Sequence, residues 1–352
     1  MIKSSYNVIG VMSGTSLDGI DLAYITFEIG ASWRFKIQAA ETVSYSEEWK
    51  QKLKNLIKLD RNVLEDLDKD YTDYLAEVIR CFINKHDLKT IDAVCSHGHT
   101  AWHQPAQKLT YQIGNLSSLS QQIGHTVVCD FRVQDVSYSG QGAPLVPIGD
   151  RLLFSDFDYC VNLGGFANIS SEYKGDRIAY DICPVNIVMN RFAEQLGFDY
   201  DKDGLIAKSG HINYRLLELW NTLEYYKKLP PKSLGSEWVE SEVLSVLTSF
   251  EIAPSDVLRT FVEHIAIQIS RAFTVNSKVL FTGGGAFNSF LLNRIRAQKQ
   301  FDLVVPVNQI VEYKEALIFG LLGVLKLRNE VNCLSSVTGA VCDHSSGAIY
   351  YP

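Results

Sequence analysis

The side chains best suited to chemistry lie in a short turn near the amino terminus. The segment GTSLDGID combines two glycines, two hydroxyls and two carboxylates. Glycine lets backbone N–H groups approach phosphate oxygens, and an acidic side chain can hold Mg²⁺. The turn therefore fits a phosphate-binding loop, although an ordinary hairpin turn has the same composition. Asp18 is the first choice for a Mg²⁺ ligand and Asp21 is the second. The candidate phosphate-contacting residues are Gly14, Thr15, Ser16, Leu17, Asp18, Gly19, Ile20 and Asp21.

Two further glycine-rich turns occur later in the chain. The first, NLGGFAN, would hold phosphates in the same way. The second, a GGG run, lies between a predicted strand and a predicted helix, where adenine could lie against the backbone beside a helix N-terminus. A tight strand-to-helix connection explains that run equally well. The chain has no GxxxxGK[ST] sequence, so three such turns together predict ATP binding by hairpins rather than by a Walker loop. The candidate residues of the two later turns are Gly164, Gly165, Asn168, Gly283, Gly284 and Gly285.

Predicted strands and helices must position these turns. Apolar runs before residue 14 and after residue 19 predict two strands joined by the first turn. A long amphipathic helix follows, with Asn62 and Glu65 placed as a capping box. Its apolar residues recur every three or four positions, which is typical of a helix that covers a sheet. These apolar residues are Leu64, Leu67, Tyr71, Tyr74, Val78 and Phe82.

The pattern of strand, glycine turn and strand starts again near residue 157. The last strand of this second set reaches Asp181, and Pro184 marks a predicted helix start beside it. This recurrence predicts two related α/β domains that face one another. We set them at 1–155 and 156–352, and we expect the chain to cross back between them near its C-terminus.

Length, charge and cysteine usage narrow the class of protein. The 352 residues, 46% of them hydrophobic, suffice for two cores. A formal net charge of -7, without a run of five Lys or Arg, argues against nucleic acid or an anionic membrane as a partner. The seven cysteines are scattered and contain no CxxC, so they indicate neither a disulfide framework nor a zinc site. The N-terminal apolar run is too short for a signal or a membrane span, and the cytoplasm is the expected location.

Eight segments, in this order, resemble the motifs of the anhydro-N-acetylmuramic acid kinase family. The resemblance implies a duplicated actin-like, ribonuclease H-like ATPase fold with two domains around a central cleft. It also implies an enzyme that binds ATP and Mg²⁺, opens 1,6-anhydro-N-acetylmuramic acid with water and phosphorylates O6 in cell-wall recycling. The resemblance further implies a homodimer. The segments are VIGVMSGTSLDGIDLA, CSHGHTAWHQP, LTYQIGNLSSLSQQIGHTVVCDFRVQDVSYSGQGAPLVP, VNLGGFANIS, DGLIAKSG, PPKSLG, FTGGGAFNSFLL and VEYKEALIFGLL.

The resemblance also assigns roles to residues. The family's catalytic base, an aspartate after the second hairpin, falls on Asp181. A carboxylate there would deprotonate the water that attacks C1 while O6 attacks the γ-phosphate. Asp181 could also cap the helix predicted to follow it. The sugar-binding residues implied by the resemblance are Gly98, His99, Asp130, Arg132, Gln141 and Glu315.

Arg132 suits the lactyl carboxylate of muramic acid, because a guanidinium can donate two parallel hydrogen bonds to a carboxylate. The alternative is a structural salt bridge to Asp130, Asp135 or Asp150.

Two other motifs admit a second interpretation. His97, His99 and His103 have a spacing that would suit a metal, but no other ligands cluster with them, and family members usually carry Gln at the position of His99. Cys183, beside the predicted base, would be a nucleophile or a packed thiol. We favour the packed thiol because no His is predicted next to it.

The segment after Asp181 departs from the family pattern. Family members typically have DTGPGN, whereas this chain has DICPVN, so larger side chains replace two glycines. This change could narrow or shift the sugar site. Two alternatives therefore stay open, a kinase of the same fold that acts on another sugar and a non-catalytic ATP-binding relative. Phe287 stands where the family often has His and would still stack on adenine.

Overall fold

The structure, a computed structural model, describes residues 3–14 and 17–352. Its strands are β1 (Ser5–Ser13), β2 (Gly19–Ile29), β3 (Trp33–Ser44), β4 (Ala93–Ser96), β5 (His99–Gln104), β6 (Leu109–Ile113), β7 (Val127–Cys129), β8 (Tyr159–Leu163), β9 (Phe166–Tyr173), β10 (Asp176–Pro184), β11 (Lys278–Thr282), β12 (Asp302–Val304) and β13 (Ala348–Tyr350). Its α-helices are α1 (Glu47–Lys54), α2 (Arg61–Lys85), α3 (Ser118–Ile123), α4 (Val133–Ser137), α5 (Pro147–Leu153), α6 (Asn186–Glu194), α7 (Leu205–Ser209), α8 (Tyr214–Asn221), α9 (Ser236–Trp238), α10 (Pro254–Arg271), α11 (Ser289–Gln298), α12 (Asn308–Leu327) and α13 (Ser335–Thr338).

The chain divides into two compact units. Unit 1 consists of Met1–Leu153 and Tyr313–Pro352, and unit 2 consists of Phe154–Glu312. The sequence had placed 156–352 in the second domain while expecting the chain to cross back near its C-terminus. In the structure, the return to unit 1 begins at Tyr313, where the backbone of α12 departs from helical geometry (φ -110°, ψ 18°).

The sheet of unit 1 has the strand order β13-β7-β4-β1-β2-β3. The first three strands of the chain are antiparallel neighbours. On the other side of β1, β4 and β7 run parallel to it. β13 adds an antiparallel edge beside β7, and β5 pairs with β6 in a separate hairpin.

The sheet of unit 2 has the order β10-β9-β8-β11-β12. Its first three strands are again antiparallel neighbours, and the last two again run parallel to the first. Apart from β13, strand order and direction are the same in the two units. This repeated topology, with helices packed on the sheets, is that of the actin-like, ribonuclease H-like fold and confirms the predicted fold class.

Both faces of β1 are covered, which explains its unbroken apolar run. Ile9 and Val11 belong to the apolar cluster that includes buried residues of α2. Gly10 faces α12, where an added Cβ would lie 1.9 Å from the Ala316 carbonyl oxygen. Because alternate residues of a strand point to opposite faces, helices cover the two sides of the sheet.

The predicted amphipathic helix is confirmed as α2, but its start differs from the prediction. Asp60 is the N-cap, and its side chain accepts a hydrogen bond from the Val63 N–H at 3.1 Å. The predicted capping box of Asn62 and Glu65 is therefore wrong, because both residues lie inside the helix.

The core of unit 2 forms around α10. Phe261, Ile265 and Ile269 of this helix are fully buried and cluster with apolar residues of β8, β9 and β11. Trp220 is also fully buried, and its indole N–H donates to the Val243 carbonyl oxygen at 3.0 Å. The strands of unit 2 whose ends carry polar residues therefore pack against helices. Within the described ranges, no helix has both the length and the apolar character needed to cross a membrane.

Candidate functional site

The first glycine turn joins β1 to β2 in unit 1. Thr15 and Ser16 lie outside the described residues. Leu17 has a left-handed backbone (φ 62°), and its N–H donates to the Gly14 carbonyl oxygen at 3.3 Å. Asp18 is exposed, so the described part of the turn presents a carboxylate at the surface.

The other candidate residues of this turn belong to β2. Gly19 lies against β3, where a Cβ would lie 2.5 Å from the Val43 carbonyl oxygen, so packing alone requires a glycine there. Ile20 is fully buried. Asp21 accepts a hydrogen bond from the Thr42 hydroxyl at 2.6 Å. Asp18 is therefore the more accessible of the two predicted metal ligands.

A buried hydrogen-bond network lies at the end of β1, directly before the turn. The Ser13 hydroxyl contacts the Tyr45 hydroxyl at 2.5 Å and His99 Nδ1 at 2.7 Å, and it accepts from Tyr71 at 2.9 Å. Burial lowers the pKa of His99 to about 4, so the ring is neutral near pH 7. Sequence reasoning missed the three hydroxyls of this network, because their contacts join residues that are far apart in the chain.

Gly98 and Asp130 meet just beyond the carboxyl ends of β4 and β7. Gly98 has φ 73°, and an added Cβ would lie 2.8 Å from Asn115 Nδ2. The same Asn115 nitrogen donates to Asp130 Oδ1 at 2.9 Å. Burial raises the pKa of Asp130 to about 6. This edge of a sheet is where α/β folds usually place ligands, and the carboxylate can accept hydrogen bonds from hydroxyl groups.

Arg132 lies immediately before α4 and is held by two polar contacts. Its Nε donates to His97 Nε2 at 2.8 Å, and its Nη1 donates to the Gly142 carbonyl oxygen at 2.6 Å. Burial lowers the pKa of Arg132, and the negative charge of Glu315 acts in the opposite direction. The guanidinium is therefore fixed in orientation, and Nη2 makes no hydrogen bond to a described residue.

The predicted alternative for Arg132, a salt bridge to a nearby aspartate, is wrong. Asp150 pairs with Lys314 at 2.7 Å. Asp130 and Asp135 accept hydrogen bonds from neutral N–H donors instead. Orientation of the guanidinium thus depends on an imidazole and a carbonyl rather than on a carboxylate.

The three histidines of the HxHxxxH segment do not converge. His97 contacts the guanidinium, His99 contacts the serine at the end of β1, and His103 contacts Thr110 Oγ1 at 3.0 Å through Nδ1. Because each ring is engaged in a different local contact, the geometry does not support a metal site at this segment.

Gln141 and Glu315 lie close to the same region of unit 1. Gln141 is exposed, and its backbone N–H donates to the Thr338 carbonyl oxygen at 2.8 Å, which fixes the loop that binds the guanidinium. Glu315 is exposed on α12 and interacts electrostatically with Arg132. Shared contacts thus bring the predicted sugar residues of unit 1 into one neighbourhood.

In unit 2, four polar residues form a row across the sheet. Thr282 pairs with Asn162, Asn162 pairs with Asn168, and Asn168 pairs with Asp181. Residues directly opposite each other on neighbouring strands point to the same face. The predicted base therefore lies in a polar row that continues through two amides. Sequence reasoning missed Thr282 and Asn162, because their places in the row depend on strand order.

The two glycine turns of unit 2 lie beside each other and beside the start of α6. The backbone N–H of Asn186 donates to the Gly164 carbonyl oxygen at 3.2 Å, and its side-chain amide donates to the Leu163 carbonyl oxygen at 3.3 Å. A Cβ added at Gly285 would lie 2.8 Å from Leu163 Cβ. The GGG turn therefore packs directly on the earlier turn, next to a helix N-terminus that favours anions.

Two of these glycines are not explained by packing. Gly165 and Gly284 are exposed, and an added Cβ would first meet a protein atom at 3.9 Å and 3.8 Å, respectively. Gly283, in contrast, has φ 79°, and an added Cβ would lie 2.6 Å from Asn162 Oδ1. The backbone at Gly165 and Gly284 is thus open to close approach by a ligand.

Asp181 is fixed by contacts from a neighbouring loop. Its Oδ2 accepts from the Leu234 N–H at 2.9 Å, and its backbone N–H donates to the Lys232 carbonyl oxygen at 3.2 Å. Its backbone carbonyl accepts from the Tyr225 hydroxyl at 2.6 Å. Burial raises the pKa of Asp181, and the Leu234 N–H acts in the opposite direction. A carboxyl with increased proton affinity and a fixed orientation is suited to act as a general base.

The alternative in which Asp181 caps a helix is wrong. Asp181 lies within β10, and α6 begins at Asn186 with Val185 as its N-cap. Pro184, predicted as the first helical residue, is the last residue of β10. A bulge between Asp181 and Cys183 lets the strand continue to that point.

Comparison with known sequences decides the family. The family model described as "Anhydro-N-acetylmuramic acid kinase" matches residues 6–352. The chain belongs to the anhydro-N-acetylmuramic acid kinase family. The curated protein of that name from Mannheimia succiniciproducens is 34% identical over 378 residues, which cover 99% of this chain and 100% of the relative. The one from Vibrio cholerae is 33% identical, with 98% of each chain covered. The predicted family is confirmed.

Solved structures add little at this distance. The activator of the 2-hydroxyisocaproyl-CoA dehydratase from Clostridium difficile, with bound ADPNP, aligns over 92% of this chain and 96% of its own with a TM-score of 0.45 and 16% identity. A likeness at that level carries no argument about function.

The side chains that depart from the DTGPGN pattern of anhydro-N-acetylmuramic acid kinases pack in the protein interior. Ile182, Cys183 and Val185 are all buried in the apolar core of unit 2. Burial also raises the pKa of the Cys183 thiol, so this residue is a packed thiol rather than a nucleophile. The larger side chains therefore fill the interior of unit 2.

The GGG turn lies between a strand and a helix, as predicted. The strand β11 ends at Thr282, a 3₁₀ segment spans Gly284–Phe287, and α11 begins at Ser289 with Asn288 as its N-cap. Phe287 is 40% exposed, which leaves its ring accessible for stacking.

Proposed function

We propose that this chain is a kinase that uses ATP and Mg²⁺ to open 1,6-anhydro-N-acetylmuramic acid with water and to phosphorylate O6. The product would be N-acetylmuramic acid 6-phosphate, which places the chain in cell-wall recycling. Membership of the family and full-length similarity to curated anhydro-N-acetylmuramic acid kinases support this proposal. All seven cysteines have free thiols and five of them are buried, which supports the cytoplasm as the compartment.

The environment of Asp181 carries the proposal. One carboxylate oxygen is held by a backbone N–H, while Oδ1 has no hydrogen-bond partner among the described residues. Burial raises the pKa of this carboxyl, so it accepts a proton more readily than an exposed aspartate does. A carboxylate with one oxygen fixed and the other available can position and deprotonate a water molecule.

The proposed reaction assigns one proton transfer to Asp181. Its carboxylate takes a proton from the water whose oxygen forms a bond to C1 of the sugar. The C1–O6 bond breaks, and O6 bonds to the γ-phosphorus as the bond from that phosphorus to its bridging oxygen breaks, which leaves ADP. Asp181 then releases the proton to solvent. One base thus serves both bond changes.

We assign recognition of the sugar to unit 1. Arg132 would bind the lactyl carboxylate through Nη2, which has no hydrogen-bond partner among the described residues. Asp130 would accept hydrogen bonds from sugar hydroxyls, and neutral His99 would support them. The remaining proposed sugar contacts are Gly98, Gln141 and Glu315.

We assign phosphate and adenine binding to the glycine turns. The described part of residues 14–21 and the turn of Gly164, Gly165 and Asn168 would donate backbone N–H groups to phosphate oxygens. The turn at 283–285 would receive adenine. Asp18, an exposed carboxylate, fits Mg²⁺, which would neutralise phosphate charge when bound.

Substitution of the base tests the proposal. Asp181→Asn keeps an oxygen that can accept from the Leu234 N–H but removes the proton acceptor. We expect turnover of the anhydro-sugar to fall by about 10³-fold, with ATP affinity kept within about twofold. Steady-state kinetics and calorimetric ATP binding measure the two effects.

Asp176→Asn is the matched control, because Asp176 is an exposed aspartate at the other end of the same strand. It should leave both quantities unchanged. An active Asp181→Asn variant would remove Asp181 from the mechanism. A wild-type chain that binds ATP but phosphorylates no amino sugar would identify a non-catalytic relative, and a chain that prefers another sugar would identify a different kinase.

A further inference from the structure

A buried cluster of three potential metal ligands lies in unit 1, outside the residues assigned to ATP and sugar. Asp135 belongs to α4, Cys333 follows α12, and His344 follows α13. They are 0%, 1% and 7% exposed. One ligand atom from each lies within 4.8 Å of the other two, and among the residues that the structure describes this is the one such group. These ligand types, N, S and O, are those that bind Zn²⁺.

The imidazole of His344 is fixed but not fully satisfied. Its Nδ1 lies 3.0 Å from the Cys342 carbonyl oxygen, and a carbonyl can only accept, so Nδ1 carries the hydrogen. In the neutral ring, Nε2 then presents a lone pair. This Nε2 is buried, has no hydrogen-bond partner among the residues that the structure describes, and lies 3.6 Å from Asp135 Oδ1.

With that tautomer, Nε2 and Asp135 Oδ1 are two acceptors that face each other at a distance too long for a hydrogen bond. A buried polar atom without a partner is uncommon and requires an explanation. A cation between Nε2 and Oδ1 removes the mismatch, because both atoms become ligands. The N–H of His344 that points to a carbonyl is also the arrangement by which metal-binding histidines are usually oriented.

The third ligand lies beside the same carboxylate oxygen. The Cys333 thiol donates a hydrogen bond to Asp135 Oδ1 at 3.0 Å. The backbones of Cys333 and His344 pair as an antiparallel bridge, with N–H to O distances of 3.1 Å and 3.2 Å, so their side chains lie on the same side. The site is thus formed by backbone pairing rather than by a mobile loop.

The carboxylate is also held by protein donors. The Thr338 hydroxyl donates to Asp135 Oδ1 at 2.7 Å, and the Gly142 N–H donates to Oδ2 at 2.7 Å. The ring of Tyr138 packs edge-on against His344, with centroids 5.0 Å apart. Such outer contacts orient ligands before a metal arrives.

From this geometry, we propose that Asp135, Cys333 and His344 bind a Zn²⁺ ion that fastens the C-terminal segment of unit 1 to α4. The fourth position of the tetrahedron would be taken by water. Binding displaces the proton of the Cys333 thiol to solvent, and the thiolate, imidazole and carboxylate then share the ion. The ion would join two segments of unit 1, and the site lies next to the Gly142 loop that orients Arg132.

Metal content and the cobalt spectrum of the full-length chain test the proposal. After removal of metal by a chelator, incubation with ZnCl₂ and desalting, we expect one Zn²⁺ per chain by elemental analysis. With CoCl₂ instead, we expect the visible bands of tetrahedral Co²⁺ and a near-ultraviolet band from a thiolate–cobalt bond. Zn²⁺ should also raise the melting temperature, because it binds only the folded chain tightly.

Variants assign the signal to the cluster. Cys333→Ser retains a hydroxyl that can donate to Asp135 and should lose the thiolate–cobalt band and weaken Zn²⁺ binding by more than about 100-fold. Cys342→Ser alters an exposed thiol nearby and should change neither. His344→Gln should also weaken Zn²⁺ binding. Circular dichroism checks that each variant is folded, and the second variant keeps the test valid if the first one is not. Absence of stoichiometric Zn²⁺ and of the cobalt band in the wild-type chain would overturn the proposal, as would equal losses in the two cysteine variants.

Discussion

Asp130 and Asp181 both have raised pKa values, but their carboxyl groups accept hydrogen bonds from different kinds of donor. The side-chain amide of Asn115 donates to Asp130, whereas a backbone N–H donates to Asp181. Both donors are neutral, so no cation offsets the cost of burying the charge. Each carboxyl therefore takes up a proton at a higher pH than an exposed aspartate, although a proton acceptor works only when it is ionised.

The pKa of Asp130 predicts how sugar binding depends on pH. Asp130 is ionised above about pH 6 and protonated below it. If its carboxylate accepts hydrogen bonds from the sugar, KM for the sugar should rise as the pH falls through about 6. Asp130→Asn should have a higher KM at pH 8 and should lose that pH dependence. Kinetics from pH 5 to pH 8 with both proteins measure the effect, and an identical pH profile in the variant would contradict the assignment.

Ionisation of Asp130 also affects the free energy of unfolding, but here the protonated form is the favourable one. Because the pKa of Asp130 is higher in the folded chain than in the unfolded one, the folded state binds more protons between about pH 4 and pH 6. The contribution of this group to the free energy of unfolding therefore decreases as the pH rises through that window. Weakened sugar binding at acidic pH thus cannot be attributed to unfolding caused by Asp130.

Single residues were predictable where a motif marks them. The composition of GTSLDGID indicated Asp18 as a metal ligand, and the family resemblance implied Asp130 and Arg132 as sugar-binding residues. These roles stay predictions. Ser13 and Tyr225 were not predictable, because their roles depend on hydrogen bonds to residues 86 and 44 positions away, respectively. The Asp135–Cys333 contact joins residues 198 positions apart, so cysteine spacing could not indicate the proposed metal site.

At the scale of elements, the turns of unit 2 contain two kinds of glycine, those that the fold requires and those that it does not. Gly283 and Gly285 are required by backbone angle or packing. Gly165 and Gly284 are not, since a methyl group would fit there at ordinary contact distances. Substitution at the second pair should therefore affect ligand binding more than folding.

Gly165→Ala tests this distinction. The added methyl would make only an ordinary contact with Ile187, so the melting temperature should change by no more than about 2 °C. If the backbone there approaches phosphate, KM for ATP should rise about tenfold, which corresponds to about 1.4 kcal/mol. Gly30→Ala is the control, because Gly30 is exposed in the β2–β3 turn with similar open space. Unchanged ATP kinetics in Gly165→Ala would exclude this turn from the phosphate site.

Strand and turn positions were predictable from local sequence, whereas helix starts were less so. β1, β2 and α2 follow from apolar runs and periodicity, which are local properties. The start of α6 was misplaced because Pro184 also suits the end of a bulged strand. The row from Thr282 to Asp181 depends on the order β10-β9-β8-β11, which no local pattern specifies.

At the scale of the whole molecule, the same sheet topology occurs twice but carries different side chains. Unit 1 has the proposed sugar residues beyond the ends of β4 and β7, and unit 2 has the proposed base within β10. The recurrence of strand, glycine turn and strand in the sequence was sufficient to predict this duplication. The return of the chain through α12 and β13 to unit 1 was anticipated only in outline, because it depends on tertiary packing at Gly10.

The fate of the water oxygen tests the central claim most directly. The wild-type chain would be incubated with ATP, Mg²⁺ and 1,6-anhydro-N-acetylmuramic acid in H₂¹⁸O, and the products would be analysed by mass spectrometry soon after mixing. Unlabelled N-acetylmuramic acid 6-phosphate kept in H₂¹⁸O for the same time controls for exchange at C1. We predict one ¹⁸O atom at C1 of the sugar phosphate and none in its phosphate group. Formation of the sugar phosphate without label at C1, or release of labelled inorganic phosphate alone, would contradict the proposed reaction.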